Sequence, residues 1–249
     1  MQISTDVLNV LAASTVNGKA LDLPAGQLDR KLYEQVAKTI KAAGGAWNKK
    51  ARTHLFPFDA ADVVDAMLLT GEVTRPQDFG YFPTPPPVVG CILDLADLES
   101  GMRVLEPSAG RGAIAGPVAA RGHDVDCIEL LDENAAAIKK AGFAASVTVG
   151  DFLELTPDPA YPRVLMNPPF ARQADIHHVL HAHRFLAPGG LLVSVMSNAV
   201  TFRTNKLTAD FRSLVEDRGG EILPLPASSF TVSGTEVHTV LLRLPAAEA

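Results

Sequence analysis

Between Arg103 and Arg218, short apolar strands alternate with segments of helical period, and this alternation constrains the fold more than any other feature. Arg103–Leu105 leads to a helix from Gly112, and Val125–Glu129 to a helix from Asp132. Ser146–Val149 and Val164–Met166 follow, then a helix over Ala174–Leu186, a strand at Leu191–Met196 and a helix over Leu207–Arg218. Strands separated by helices pair in parallel, with helices on both faces of the sheet. The last segment differs, because Glu221–Leu225 and Val237–Leu244 read as two strands joined by a turn near Ser233-Gly234. The expected class is therefore α/β, a doubly wound, mostly parallel sheet with an antiparallel C-terminal hairpin.

The first 75 residues follow another pattern. Leu28, Leu32, Val36, Ile40 and Ala43 recur at helical spacing, and Gly44-Gly45 stops that helix. Trp47-Asn48-Lys49-Lys50 reads as a turn between two short strands, the second being 54–58, and another short helix is expected over Ala60–Leu69. This is a small α+β module. The stretch Thr74–Pro87, rich in proline and aromatics, is expected to form neither a regular helix nor a central strand, and to separate the module from the rest. The expected division is 1–75 and 76–249.

The chain carries a net charge of −6, which at first speaks against nucleic acid. Between Lys19 and His54, however, eight basic residues face three acidic ones, a local surplus of five that leaves −11 elsewhere. Such asymmetry fits a polyanion-binding end and, equally on composition alone, a solvated helix surface. Trp47 with Lys49, Lys50 and Arg52 can pair base stacking with phosphate contacts; the bland alternative makes Trp47 the core residue of its hairpin. The two cysteines, Cys91 and Cys127, stand too far apart in sequence for a Cys-x-x-Cys zinc site, and no disulfide framework is expected. No apolar run reaches the roughly 18 residues of a membrane helix, and the N-terminus lacks a basic signal region. A soluble, cytoplasmic chain without a membrane partner is expected.

Four segments carry chemistry. In Glu106-Pro107-Ser108-Ala109-Gly110-Arg111-Gly112, a strand runs into a glycine-containing loop and then a helix. Gly110 and Gly112 are expected to let the backbone approach a ligand, the alternative being a plain strand-to-helix turn that uses its glycines for tight packing. The three-glycine dinucleotide fingerprint is absent, and the acid at Glu106 suits a cationic ligand such as S-adenosylmethionine better than a pyrophosphate. Glu129, at the end of the next strand, is placed to accept from ribose hydroxyls, with Leu130 beside it. Asp151 can accept from an adenine amino group while Phe152 packs on the ring. Most specific is Asn167-Pro168-Pro169-Phe170, at the carboxyl end of an apolar strand. Its two prolines remove backbone donors and leave carbonyls free to accept. The Asn167 side-chain oxygen and the Pro168 carbonyl can take the two N–H groups of an amine and orient its lone pair, and Phe170 offers a face to a planar base. His177, His178, His181 and His183 have no acidic or cysteine partner nearby, so they read as a solvated helix surface and no metal site is expected.

Taken together, residues 81–244 resemble the class I S-adenosylmethionine-dependent amino-methyltransferases, particularly the DNA adenine-N6 group, whose fold is Rossmann-like. Tyr81-Phe82-Pro83-Thr84-Pro85 is similar to that group's leading motif, which contacts the methionine part of the cofactor. The resemblance implies cofactor contacts at Phe82, Pro83, Thr84, Glu106, Pro107, Ser108, Ala109, Gly110, Gly112, Glu129, Leu130, Asp151, Phe152 and Asn167. It implies catalysis by Asn167, Pro168, Pro169 and Phe170, and stacking of a flipped base by Phe170 and Phe230, with Phe202 competing for the second role. Members with this motif order often carry a large recognition domain after the catalytic one. No such domain is expected after the last strand here, and target reading is expected from loops, the basic module or a partner subunit. The expected function is methylation of adenine N6 in DNA. The alternatives are methylation of guanine or adenine in RNA, of a protein glutamine amide, or a catalytically silent DNA-binding subunit of the same fold.

Overall fold

The N-terminal segment is built on two hairpins and three helices. A computed structural model describes residues 2–26, 28–57, 59–73, 83–225, 229 and 238–247. Helix α1 (Thr5–Ala12) precedes strands β1 (Thr15–Asn17) and β2 (Ala20–Asp22), none of which was expected from the pattern. Helix α2 (Arg30–Ala42) is capped by Asp29, whose carboxylate accepts from the Lys31 and Leu32 amides, and it buries Val36 and Ile40. Strands β3 (Ala46–Asn48) and β4 (Thr53–Leu55) form the expected hairpin, and the four strands order as β1-β2-β4-β3. Helix α3 (Ala60–Thr70) starts at the Asp59 cap and ends at Gly71, whose φ of 67° suits a residue without Cβ.

Nine of the eleven α3 residues are buried. One flank (Val63, Val64, Met67, Leu68) joins Leu11, Leu21 and Ile40 in the module's core, while Leu69 belongs to a core of the large sheet. The module is thus docked through α3, and Ala199 of the large unit sits in the module's own apolar cluster.

Helix α4 (Pro86–Leu95) corrects one expectation. Pro86 and Pro87 occupy its first turn, where an amide has no intrahelical partner to lose, so the end of the proline-rich stretch is helical. Then come β5 (Arg103–Pro107), α5 (Ala115–Ala119), β6 (Asp124–Glu129), α6 (Asp132–Ala141), β7 (Ser146–Val149), β8 (Tyr161–Met166), α7 (Ala174–Ala182), β9 (Leu186–Ser197), α8 (Lys206–Asp217), β10 (Glu221–Pro224) and β11 (Thr239–Pro245). The seven strands order as β10-β11-β9-β8-β5-β6-β7; all pairs are parallel except the two made by β11. The Rossmann-like sheet with its antiparallel terminal pair is therefore present, with β11 inserted between β10 and β9. The turn near Ser233-Gly234 lies outside the described residues.

Several boundaries differ from expectation, β8 among them, which starts at Tyr161 rather than Val164. Helix α7 gives way after Ala182 to a 3-10 turn, and β9 begins at Leu186, because a register shift opposite Tyr161 and Arg163 absorbs Ala187–Gly190 and keeps the strand paired. Helix α5 begins only at Ala115, after the glycine loop. Strand alternation divides the core: Val104 faces α4, α5 and α6 with Ile92, Val118 and Ile138, while Leu105 faces the α7 and α8 side with Ile176, Val179 and Phe211. Each such side chain, fully buried, contributes roughly 1.5–3 kcal/mol. The carboxyl ends of β5, β6, β7 and β8 are thereby left as one rim. No helix among the described residues is long and apolar enough to cross a membrane.

Candidate active site

A cavity of about 440 Å³ opens along that rim. Its floor is the loop after β5, where Ser108 and Gly110 both adopt positive φ (64° and 57°). Ala109 donates to the Ile128 carbonyl at 2.9 Å, which pins the loop to β6. The Gly110 amide donates to Glu129 Oε2 at 2.6 Å; Glu129 Oε1 accepts from the Leu131 amide at 2.9 Å and from Asn134 Nδ2 at 3.4 Å. A carboxylate offers about four acceptor positions, so one remains for a ligand hydroxyl unless a neighbour yields. Leu130 and Leu131, 62% and 55% exposed, flank the opening with apolar surface.

Glu106 lies deeper and is almost fully buried. Its Oε2 accepts from the Ala115 amide at 2.6 Å, so one oxygen is committed to the start of α5 while the side chain still lines the cavity. Burial pushes its carboxyl pKa well above the usual carboxylate range, against the pull of the Ala115 and Ile114 amides. Asp151 lines the cavity with its Oδ1 accepting from the Leu153 amide at 2.9 Å. Phe152 shows the cavity one part of its ring and packs the rest on His181 and Phe185, centroids 4.8 and 5.2 Å away.

The tetrad closes the other end. Asn167 Nδ2 donates to Thr84 Oγ1 at 3.0 Å, which ties the start of α4 to the end of β8 and fixes the plane of the amide. Pro168 is buried and Pro169 exposed, and both line the cavity with Phe170. The structure therefore brings Thr84, Glu106, Ser108, Ala109, Gly110, Glu129, Leu130, Asp151, Phe152 and the tetrad to one cavity. Pro83, Pro107 and Gly112 are outside its lining. For Gly112 the reason is visible: φ is 81°, and a Cβ there would lie 2.3 Å from Phe143 Cζ, so the glycine serves packing of the loop on the Phe143 ring. Phe82 and Phe230 fall outside the described residues. Phe202 packs against the N-terminal cluster and does not line the cavity.

Sequence reasoning missed one whole wall. Asp62, Asp65, Ala66 and Leu69 of α3 line the cavity beside Phe170 and Ala171. Part of the signal was present: in Ala-Ala-Asp-Val-Val-Asp-Ala-Met-Leu-Leu-Thr the apolar residues spread well beyond one face, as in a helix buried on two sides, with Asp62 and Asp65 sharing the remaining side. His178 was also missed. It is buried in the cavity wall with Nδ1 at 2.8 Å from the Ala174 carbonyl, and burial lowers its imidazole pKa. His181 packs edge-on against Phe152, and His183 Nε2 lies 2.7 Å from the Pro245 carbonyl. The solvated reading holds only for His177. No group of three metal-ligating side chains occurs among the described residues.

In the N-terminal hairpin Trp47 is 50% exposed, with the cross-strand His54 ring edge-on at 5.0 Å. It is not a core residue. Lys49, Lys50 and Arg52 are exposed around the turn, whose shape is set by Asn48 Oδ1 accepting from the Lys50 and Ala51 amides.

No curated protein sequence matches the chain. Among solved structures, it is similar to a protein from Listeria monocytogenes assigned to the class I S-adenosylmethionine-dependent methyltransferases. That match has 14% identity and a TM-score of 0.55, covering 70% of this chain and 64% of that one. A second is phosphoethanolamine N-methyltransferase 2 from Haemonchus contortus in complex with S-adenosyl-L-methionine, at 15% identity and a TM-score of 0.50, covering 67% and 54%. The chain thus spans less than two thirds of either protein's length, and at these identities the likeness is one of fold. Residues 91–218, just over half the chain, match the profile of the methyltransferase small domain, and the chain belongs to that family.

Proposed function

We propose that the chain transfers a methyl group from S-adenosylmethionine to the exocyclic N6 of adenine in DNA. The observation that carries this reading is the convergence of two motifs far apart in sequence. The glycine loop with Glu129, and the Asn167–Phe170 tetrad braced by Thr84, face a single cavity.

The residues present fit the cofactor. Gly110 brings backbone to the cavity floor, Glu129 retains an acceptor position for a ribose hydroxyl, and Leu130 and Leu131 supply apolar surface for an adenine ring. The cavity volume lies within the roughly 300–1,000 Å³ of small-molecule sites. S-adenosylmethionine supplies an electrophilic methyl group on a sulfonium. The chain's part is then positional. Asn167 and the Pro168 carbonyl accept from the acceptor amine and aim its lone pair, and Phe170 bounds the acceptor plane. No strong base is required, because the amine's surplus proton is acidic once nitrogen has formed its new bond.

The exposed Trp47, Lys49, Lys50 and Arg52 support a nucleic acid as the carrier of that amine, with a partner subunit as a further source of sequence recognition. Incubation of the purified protein with methyl-labelled cofactor and DNA, RNA or protein tests the assignment. Label in DNA adenine is expected. Label confined to RNA or to protein overturns the substrate, and label nowhere favours a silent DNA-binding subunit.

A further inference from the structure

The turn that follows the tetrad is strained and is held from another part of the chain. Arg172 and Gln173 both adopt positive φ, 57° and 59°, a pair of consecutive left-handed residues with no glycine between them. Such a turn persists only where its neighbours over-determine it. Gln173 is held by the large unit, its Oε1 accepting from Asn205 Nδ2 and Thr208 Oγ1, each at 2.9 Å. Arg172 is held by the N-terminal module. Its Nε and Nη2 donate to the two carboxylate oxygens of Asp62 at 2.8 and 3.0 Å, and Nη2 lies 3.3 Å from Asp59 Oδ2. Asp59 caps α3 and Asp62 stands in its first turn, where carboxylates are favoured by the helix dipole. The same helix forms the cavity wall next to Phe170 and Ala171.

We propose that Arg172 is a positioning residue, which by gripping Asp59 and Asp62 docks α3 as the acceptor-side wall and holds the Asn167–Phe170 loop in its working geometry. The N-terminal module is then part of the active site as well as a carrier of the basic hairpin. The identity of the acceptor rests on the function proposed above; the coupling between α3 and the tetrad does not. An exposed ion pair adds little to stability, so the effect of breaking it is geometric. Misplacing reacting groups by about 1 Å costs on the order of 100-fold in rate.

The test compares wild type, Arg172→Ala, Asp59→Asn with Asp62→Asn, and all three changes together; Arg172→Lys serves as the conservative variant. The readouts are kcat and KM for methyl transfer, cofactor affinity, and hydrogen exchange of amides between 167 and 176. Arg172→Ala is expected to lower kcat about 10- to 100-fold, leave cofactor affinity within about two-fold, and speed exchange in the tetrad loop about ten-fold or more. The combined variant is expected to be no worse than Arg172→Ala, because the groups act as one unit, and Arg172→Lys is expected to lie between, having lost the paired geometry. Additive losses, cofactor affinity falling in step with kcat, or unchanged exchange each overturn the proposal. Hydrogen exchange needs no substrate. A wild type that protects the loop through Arg172 but methylates no DNA defeats the assigned substrate alone. A wild type that methylates adenine while Arg172→Ala keeps full kcat defeats this coupling alone.

Discussion

Replacing Gly112 by alanine separates packing from ligand binding within the glycine loop. Two penalties follow from its geometry. A non-glycine residue at φ 81° pays for the left-handed backbone, roughly 1–2 kcal/mol. The new Cβ would stand 2.3 Å from Phe143 Cζ and 3.1 and 3.3 Å from the ring's two Cε atoms, an overlap that costs roughly 1–3 kcal/mol as the ring is displaced. Phe143 is only half-buried and has somewhere to go, which places the total at about 2–4 kcal/mol. Urea unfolding of Gly112→Ala, Phe143→Leu and the double variant isolates the second term. The double variant is expected to recover about 1–2 kcal/mol relative to additivity, while the backbone penalty stays. Calorimetric titration of S-adenosylmethionine at a temperature where the variant is folded is expected to give an affinity near that of wild type. A stability change below about 0.5 kcal/mol combined with a ten-fold weaker cofactor affinity would refute the packing assignment and restore Gly112 to the ligand site.

Three further outcomes are expected. Asn167→Ala lowers kcat on the order of 100- to 1,000-fold, the size of one missing oriented dipole at a reacting centre, as single-turnover rates at saturating cofactor check. Changing Lys49, Lys50 and Arg52 to alanine weakens DNA binding measured by anisotropy and reduces the slope of log affinity against log salt by about 0.9 for each phosphate no longer neutralised; Trp47→Ala weakens binding without changing that slope. Burial pushes the Asp175 carboxyl up to about 7 and that of Glu106 upward as well, so between about pH 4 and 7 these two groups bind more protons in the folded state than in the unfolded one, while the lowered imidazoles of His54 and His178 act with the opposite sign. The contribution of the two acids then falls as pH rises through this window, by at most ~1.4 kcal/mol per pH unit for each proton, and urea midpoints of wild type and Asp175→Asn at about pH 5.5, 6.5 and 7.5 check the sign, the fall being expected to flatten in the variant.

The parallel sheet was legible because its strands are short apolar runs, most of them followed by a helix, a pattern that leaves few topologies. The tetrad and the glycine loop were legible because proline and glycine mark backbone geometry directly. Helix α1 and the β1–β2 hairpin were not, since three-residue strands carry too little alternation to separate from a loop. The roles of Gly112 and α3 were hidden for another reason. Gly112 looks like a ligand glycine until the Phe143 ring is placed above it, 31 positions along the chain. Asp62 meets Arg172 across 110 positions. Neither meeting has a periodic signature. The start of α4 misled through composition, because consecutive prolines forbid a helix interior but not its first turn.

Behind Phe170, the interface between α3 and the large unit buries a polar cluster whose energetics can be separated from its specificity. Arg203 pairs with Asp65, both only 9% exposed, and Asp175 accepts from the Ser197 and Ile176 amides alongside. Desolvation raises the Asp65 pKa in spite of the guanidinium beside it. Arg203→Met removes the partner and leaves a buried acid. The expected loss is about 3–5 kcal/mol at pH 8. It shrinks toward pH 5, because Asp65 can protonate and so limit the penalty. Arg203→Met with Asp65→Leu replaces the pair by apolar groups and is expected to regain most of that stability, or to exceed wild type. If the pair serves to register α3 against the tetrad loop, this stable double variant still loses kcat and protection of the loop from hydrogen exchange. A double variant with restored stability and full activity would instead mean that Arg172 alone sets the register. A single variant whose loss is the same at pH 5 and pH 8 would refute the account of Asp65 as an acid held against its burial.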